Sequence, residues 1–150
     1  MTEKIPRTAL LLGLAGLVPF LWGAFTLLND SAWQFGTARL GPRFVGPYVQ
    51  IFYGTVILSF MSGVLWGFAA RAEGRFAAMG YALGVIPALW AFFFTGGGPI
   101  SAQVYLIAGF VGLLGIDWLF WANGLAPAWW MRLRTGLTAI VIACLLVGIA

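Results

Sequence analysis

Few side chains in this sequence of 150 residues could take part in chemistry. The chain has eight Lys or Arg residues, four Asp or Glu residues, one Cys and no His. Without His, and without a cluster of Cys, Asp or Glu at metal-ligand spacing, it lacks the usual ligands for haem iron or zinc. It also has no paired carboxylates and no nucleophile beside a base. We therefore predict a protein that is not an enzyme and holds no cofactor or metal.

Asp117 is the acidic residue that lies within an apolar run. An ionisable side chain inside a membrane segment is costly and commonly marks a functional site. Asp117 lies near the end of its run, where Arg71, Arg132 or Arg134 could pair with it. Two interpretations stay open at this point: a structural ion pair across a helix boundary, or a proton or ligand site.

Aromatic and polar side chains form a second group of candidates, in the outer halves of the apolar runs, away from the end where Asp117 lies. This group could line a cavity for a planar or lipidic ligand, and it consists of Trp22, Trp90, Tyr53, Tyr105, Tyr81, Gln50, Gln103 and residues 92–94. The alternative is ordinary packing, because aromatic side chains contribute large apolar surfaces to helix interfaces.

Most of the chain is apolar, with 62% hydrophobic and 8% charged residues, so it has too few polar side chains to cover the surface of a water-soluble globular protein. A helix of about 20 residues crosses the hydrocarbon core of a bilayer, which is about 30 Å thick. Five apolar runs are long enough, and we predict helices near residues 8–28, 48–70, 76–95, 100–122 and 127–150. Because backbone groups in lipid must pair internally, the fold class is an all-α integral membrane protein in one transmembrane domain.

The chain also repeats itself. Residues 16–25 recur as residues 84–93, with Gly, Pro, Leu, Trp and Phe at matching places. A second set recurs at equal spacing: Tyr53, Gly63, Trp66 and Phe68 match Tyr105, Gly115, Trp118 and Phe120. We predict two helical hairpins that cross the membrane in the same direction, a parallel repeat, plus one extra helix. Pro19 and Pro87 should each kink the first helix of a hairpin.

The basic residues predict the orientation, because Lys and Arg accumulate in short cytoplasmic loops. One side carries Lys4, Arg7, Arg71, Arg75, Arg132 and Arg134, and the other carries Arg39 and Arg43. This distribution predicts a cytoplasmic N-terminus and, after five spans, a C-terminus on the opposite, periplasmic side. It also accounts for the net charge of +4 without a nucleic-acid partner.

Small residues recur every four positions in the second and third runs. They are Ser59, Gly63 and Gly67 in the second run, and Gly80, Gly84 and Ala88 in the third. Such rows let helix backbones approach closely in lipid. We expect the two helices to pack on these faces, against each other, against the other hairpin or against a second copy of the chain.

The first outer loop is the long one. Ser31 and Gln34 have the spacing of a capping box, which predicts an interfacial helix at about residues 32–40. Its Trp33 and Phe35 could rest among lipid head groups, with Arg39 and Arg43 near the phosphates. The alternative is a docking surface for a partner protein.

Several segments resemble one membrane-protein family. They are Tyr53 to Gly67, Ile5-Pro6-Arg7, Pro87-Ala88-Leu89-Trp90, Asp117 and Pro127 to Arg134. Together they resemble the bacterial and mitochondrial membrane proteins related to transmembrane protein 69, a family of unknown function. The resemblance spans nearly the whole chain. It implies a multi-spanning inner-membrane protein and implies no catalytic residue or ligand.

Two functional hypotheses follow. The first is a non-enzymatic protein that acts through contacts with other membrane proteins or through self-association, such as an accessory or assembly factor of an energy-transducing complex. The second is a binder or transporter of a small hydrophobic molecule, such as a lipid, quinone or tetrapyrrole, held between the two hairpins.

Overall fold

The computed structural model describes residues 3–150, and every regular element in that range is helical. The α-helices are α1 (Arg7–Ala15), α2 (Val18–Leu28), α3 (Asp30–Leu40), α4 (Gly46–Ala69), α5 (Gly74–Gly84), α6 (Ile86–Phe94), α7 (Pro99–Ala122) and α8 (Trp130–Val147). A single 3-10 turn at Pro42–Phe44 joins α3 to α4.

Within the described residues, five helical segments are long and apolar enough to cross a membrane. They are Arg7–Leu28, Gly46–Ala69, Gly74–Phe94, Pro99–Ala122 and Trp130–Val147. Many large apolar side chains remain exposed on the bundle, including Leu28, Phe92 and Phe93 at 76%, 77% and 68%. Water would not tolerate so much exposed apolar surface, whereas lipid covers it. The prediction of an all-α membrane protein with five spans is confirmed.

The first and third spans are interrupted at corresponding places. In the first span α1 ends at Ala15 and α2 begins at Val18, one residue before Pro19. In the third span α5 ends at Gly84 and α6 begins at Ile86, one residue before Pro87. A proline provides no N–H for the preceding turn, so each helix breaks ahead of it, as predicted. The parallel duplication itself stays a prediction.

The outer helix begins earlier than its predicted capping box. Asn29 is the N-cap of α3, and its side-chain oxygen accepts a hydrogen bond of 2.9 Å from the backbone N–H of Ala32. The proposed Ser31 cap is therefore wrong, because Asn29 already satisfies one of the free N–H groups of the first turn. Gly41, with φ of 97°, ends the helix in a backbone conformation that favours glycine.

The last span is shorter than predicted. It begins at Trp130 rather than near Pro127, and it ends at Val147. Gly124, with φ of 74°, ends α7 in the left-handed conformation, and the N–H of Leu125 reaches back to the carbonyl of Phe120 over 2.9 Å. This cap reverses the chain direction, and α8 starts only after the following turn.

Helix α4 is central to the bundle and packs against α2, α5, α6 and α7. On the α5 side, a Cβ added at Gly80 would lie 2.7 Å from the Cβ of Ala69, and one at Gly84 would lie 3.0 Å from Trp66. These two glycines therefore allow close approach to α4, as expected. Ser59, Gly63 and Gly67 do not take part, because all three are exposed and a Cβ at either glycine would meet nothing within 4 Å.

Helix α8 packs against α7, α2 and α1. The side chain of Arg132, near its start, donates a hydrogen bond to the carbonyl of Glu3. The N-terminal segment and the α7–α8 connection therefore share one end of the bundle, which we call the inner end after its predicted cytoplasmic side.

Candidate functional site

A cleft of about 690 Å³ lies between the first hairpin and the last helix. Helix α1 contributes Ala9, Leu12 and Gly13, and α4 contributes Tyr53, Val56, Ile57, Phe60, Met61, Val64 and Phe68. Helix α8 contributes Trp130, Leu133, Arg134, Leu137, Thr138 and Val141. Phe20 of α2 and Phe110 of α7 also line it.

The break in the first span shapes this cleft. Helix α2 buries Phe20, Gly23, Ala24 and Thr26, whereas α1 buries no residue. The chain thus packs into the core after the break, whereas before the break α1 contacts α8 but buries no residue. Phe20 lies with its ring 5.2 Å from that of Tyr53 and 5.9 Å from that of Phe110, and these edge-on contacts close the cleft toward the core.

The cleft reaches the surface that faces lipid. Leu12, Val56 and Phe60 line it, yet they are 68%, 59% and 64% exposed on the outside of the bundle. Leu12 belongs to α1 and the other two belong to α4, so the opening lies between these helices. An apolar molecule could therefore enter sideways from the bilayer.

A buried ion pair lies beside the inner end of the cleft. Asp117 is fully buried, and its Oδ2 accepts a hydrogen bond of 2.9 Å from the Nε of Arg134. The other carboxylate oxygen accepts one of 2.9 Å from the indole N–H of Trp130. Of the three arginines considered as partners, Arg134 thus pairs with Asp117, while Arg132 bonds to the Glu3 carbonyl and Arg71 is exposed.

Two polar atoms beside this ion pair have no hydrogen-bond partner. They are Nη2 of Arg134 and Oγ1 of Thr138, in residues that are 6% and 2% exposed. Both residues line the cleft and lie one helical turn apart on the same face of α8. An unsatisfied buried polar group costs about 1 to 3 kcal/mol, so these two atoms are the unusual feature of the site.

The aromatic and polar candidates do not meet around one cavity. Tyr53 lines the cleft, but Trp22 and Trp90 do not. The indole N–H of Trp22 donates to the carbonyl of Phe44 over 2.7 Å, and that of Trp90 donates to the carbonyl of Tyr105 over 2.7 Å. Each tryptophan therefore ties its span to a later part of the chain.

Tyr81 was expected far from the predicted cytoplasmic side, and the structure places it nearer the inner end. Its ring lies 4.6 Å from that of Trp66, and its carbonyl accepts the indole N–H of that residue. The helix register explains the difference, because Tyr81 follows the inner turn at Glu73 by only two helical turns.

Gln50 and Gln103 form a separate polar contact in the core. Both are fully buried, and the Nε2 of Gln103 donates to the Oε1 of Gln50 over 2.7 Å. The Nε2 of Gln50 donates in turn to the carbonyls of Phe20 and Cys144, over 3.2 Å and 3.0 Å. These bonds connect the first, second, fourth and fifth spans, and neither glutamine lines the cleft.

The outer helix α3 packs on the bundle through one face. Its Gly36 is buried, and a Cβ there would lie 2.9 Å from Trp22. Trp33 rests against Gly46, whereas Phe35 is 60% exposed, with the Arg39 guanidinium 6.0 Å from its ring centre. Phe35 and Leu40, which is 55% exposed, are thus the large apolar residues of this helix left free for lipid or a partner.

Sequence reasoning missed the role of the last helix in the cleft. It treated α8 as an addition to two hairpins and placed a cavity between those hairpins, whereas Phe110 is the one cleft residue from the second hairpin. The signal was the Arg134–Thr138 spacing, which places two polar side chains on one face of an apolar helix. Among residues 3–150, no three His, Cys, Asp or Glu side chains come together as a metal-binding group.

The fold and the site define a class: a five-span helical membrane protein with a lateral apolar cleft beside a buried Asp–Arg pair. The chain belongs to the family described as "Protein of unknown function (DUF3429)", which matches residues 5–150. It is also similar to transmembrane protein 69 of Xenopus tropicalis, with 31% identity over 144 residues. That match covers 93% of this chain and 53% of the relative, so the chain spans about half the relative's length. No solved structure gives a significant match.

Proposed function

We propose that this protein binds a small hydrophobic molecule in the cleft between α1, α4 and α8, and that it does so without enzymatic chemistry. The observation that carries the proposal is the cleft itself, with a volume of about 690 Å³ and an almost wholly apolar lining. Binding sites for small molecules commonly measure about 300 to 1,000 Å³, with apolar walls and a few placed polar groups. This cleft fits that description.

The arrangement favours a ligand that arrives through the bilayer. The exposed rim at Leu12, Val56 and Phe60 gives access from the lipid side, and the few polar side chains lie deeper. Lipid, quinone and tetrapyrrole molecules all partition into membranes and are the classes to consider. The site would lie beside the fifth span rather than between the two hairpins.

The proposal can be tested with one pair of matched variants. Ala9→Phe places a ring in the cleft, because Ala9 lines it, whereas Ala15→Phe adds the same ring on an exposed part of α1 outside the lining. Each protein is purified in mild detergent, and co-purified small molecules are identified and counted by mass spectrometry. We expect a stoichiometric molecule with the parent chain and with Ala15→Phe, and its loss with Ala9→Phe.

Two results would reject ligand binding in the cleft. One is a parent protein that carries only the bulk lipids of its membrane in bulk proportions. The other is a bound molecule that is retained equally by Ala9→Phe and Ala15→Phe. Thermal unfolding of both variants verifies that the added rings leave the bundle folded.

A second candidate is a role through contacts with other membrane proteins, as an accessory or assembly factor of an energy-transducing complex. The exposed row of Ser59, Gly63 and Gly67 favours it, since the open space at the two glycines would let another helix approach closely. Gentle detergent extraction should then recover the chain in a larger assembly that Gly63→Leu disrupts. Recovery as a free monomer, where known complexes survive, would oppose this role.

The expected setting is a bacterial inner membrane, with the inner end of the bundle in the cytoplasm. The basic residues support this orientation, since Lys4, Arg7, Arg71, Arg75 and Arg132 lie in connections or first helical turns at that end. The mouth of the cleft would then open into the cytoplasmic half of the bilayer.

A further inference from the structure

We infer that the molecule held in the cleft is a neutral amphiphile whose head group offers a carbonyl-type hydrogen-bond acceptor to Arg134 and Thr138. This inference rests on the proposed function and specifies the chemistry of the ligand. It follows from three properties of the site: the donors left free, the charge already neutralised and the apolar length of the cleft.

The free donors define the head group. A guanidinium has five N–H donors and no acceptor, so the partner that Nη2 of Arg134 lacks must be an acceptor. The hydroxyl of Thr138, one turn further along α8, can donate to the same group. Two donors on one helix face suit a carbonyl oxygen, which has two lone pairs.

The charge of the site favours a neutral head group. Asp117 already neutralises Arg134 through the 2.9 Å contact, and Arg134 is the charged residue in the cleft lining. An anionic head group would therefore add a net negative charge at a buried site without a counter-ion of its own, which is costly in a low dielectric. Arg132 lies outside the lining and is exposed, with its side chain bonded to the carbonyl of Glu3.

The apolar length of the cleft suits a medium or long tail. Its lining runs along the first span from Ala9 to Phe20, which at 1.5 Å per residue corresponds to about 16 Å. This is about half the thickness of the hydrocarbon core, which is about 30 Å. A head group at Arg134 and a tail along α1 and α4 would fill the cleft along this length.

Binding must also move side chains. Solvent reaches neither the Arg134 nitrogen nor the Thr138 oxygen in this arrangement. The guanidinium is fixed at its Nε by Asp117, so the head group gains access by displacing its neighbours rather than by pulling the arginine outward. Trp130 and Trp129 line this end of the cleft, which makes tryptophan fluorescence a suitable readout.

Binding can be measured with three probes of similar tail length. A benzoquinone with a decyl tail is titrated into the purified full chain, with binding followed by quenching of tryptophan fluorescence. Methyl laurate and laurate, at pH 8, then compete with the quinone. These two competitors share a tail and differ in head-group charge. We expect the quinone to bind and methyl laurate to compete at least about tenfold better than laurate, which corresponds to about 1.4 kcal/mol.

The role of the donors is tested by Thr138→Val, which removes the hydroxyl and nearly preserves the shape. It should lower the affinity for both neutral probes by about three- to tenfold, which corresponds to the usual net contribution of one hydrogen bond. Thr135→Val is the matched control, because Thr135 is exposed on the same helix and outside the lining. It should leave both affinities unchanged.

The outcomes separate the sources of the carbonyl group and the two proposals. Binding of the quinone with competition by methyl laurate supports carbonyl recognition in general, while quinone binding without competition supports a ring carbonyl. Equal competition by laurate, or equal effects of Thr138→Val and Thr135→Val, would overturn the inference. If no neutral probe binds but a co-purified molecule is still lost in Ala9→Phe, this inference fails and cleft binding stands.

Discussion

At the scale of single residues, Asp117 and Arg134 act as one unit. Both carboxylate oxygens of Asp117 have donors, at 2.9 Å each, and the carboxylate is fully buried. This environment favours the structural interpretation of Asp117. The unsatisfied group belongs to Arg134 instead, whose Nε is held by Asp117 while Nη2 has no partner. The acid is thus a positioning residue for the arginine that lines the cleft.

We predict that Asp117→Asn destabilises the protein by about 3 to 5 kcal/mol, because it leaves the charge of Arg134 buried without a counter-ion. The double variant Asp117→Leu with Arg134→Met should recover most of this loss, since it removes both charges together. The free energy of unfolding is measured in mixed detergent micelles by titration with a denaturing detergent.

Asp30→Asn serves as the control, because Asp30 is exposed in the first turn of α3. This substitution should lower the free energy of unfolding by no more than about 1 kcal/mol, the usual contribution of an acidic residue near a helix N-terminus. A double variant that is as unstable as Asp117→Asn alone would show that the pair contributes more than mutual neutralisation.

Sequence reasoning identified the acid and its possible partners but could not choose among them. Arg71, Arg132 and Arg134 all lie near the same end of the bundle, and the choice depends on which side chain faces inward. Arg134 lies on the α8 face that packs against the bundle, with 6% exposure, whereas Arg132 is exposed. The facing of a helix is set by tertiary packing, which spacing alone does not determine.

At the scale of helices, two similar breaks have different consequences. After its break, each span contributes residues to the core: α2 buries Phe20, and α6 buries Ala91. Before the break, α5 packs against α4 through Gly80 and Gly84, whereas α1 buries no residue. A cleft of about 690 Å³ thus lies beside the break at Pro19, whereas α5 and α7 leave a pocket of only about 90 Å³ beside the third span.

We predict that Pro19→Ala reduces ligand binding in the cleft, whereas Pro87→Ala does not. Alanine at position 19 restores an N–H that can bond to the carbonyl of Ala15, which favours a continuous helix. A straighter first span would change the spacing of α1 from α4, whose separation forms the mouth of the cleft. The affinity of the decyl quinone, or the amount of co-purified molecule, gives the measurement.

Pro87→Ala is a strict control, since it makes the same chemical change at the corresponding place in the third span, and Pro87 does not line the cleft. If both substitutions reduce binding equally, the effect comes from general loosening of the bundle. If neither does, the cleft depends on packing of α1 against α8 rather than on the break.

The spans could be predicted from the sequence because a helix needs about 20 apolar residues to cross the hydrocarbon core. Predicted and observed spans agree closely except for the last, where the turn from Gly124 delays α8 to Trp130. The face that each helix packs against its neighbours was harder to predict. Gly80 and Gly63 belong to similar rows, yet Gly80 lies against Ala69 and Gly63 is open, since small residues permit close packing without specifying a partner.

At the scale of the whole molecule, the two buried polar contacts lie toward opposite ends of the bundle. The Gln50–Gln103 contact lies on the outer side of the bundle, and the Asp117–Arg134 pair lies near the inner end. Because Arg134 is committed to this pair, five basic residues remain in connections or first helical turns at the inner end, against Arg39 and Arg43 at the outer end. The charge distribution without Arg134 still predicts a cytoplasmic inner end, and the orientation stays a prediction.

The orientation predicts which connections an impermeant reagent can reach. Cys144 is buried and is first replaced by alanine, which removes the native thiol. A single cysteine is then introduced by Ser31→Cys in the outer helix or by Glu73→Cys in the α4–α5 turn, both at exposed positions. In intact cells a charged maleimide should label Ser31→Cys and should label Glu73→Cys only after the membrane is permeabilised.

The same pair of variants separates a single orientation from a mixed one. Labelling of Glu73→Cys alone in intact cells would invert the bundle, and partial labelling of both would indicate two populations. The distinction matters for the ligand, because inversion would move the mouth of the cleft to the opposite leaflet. If a ligand enters at the exposed rim of Leu12, Val56 and Phe60, as proposed, the orientation determines which leaflet supplies it.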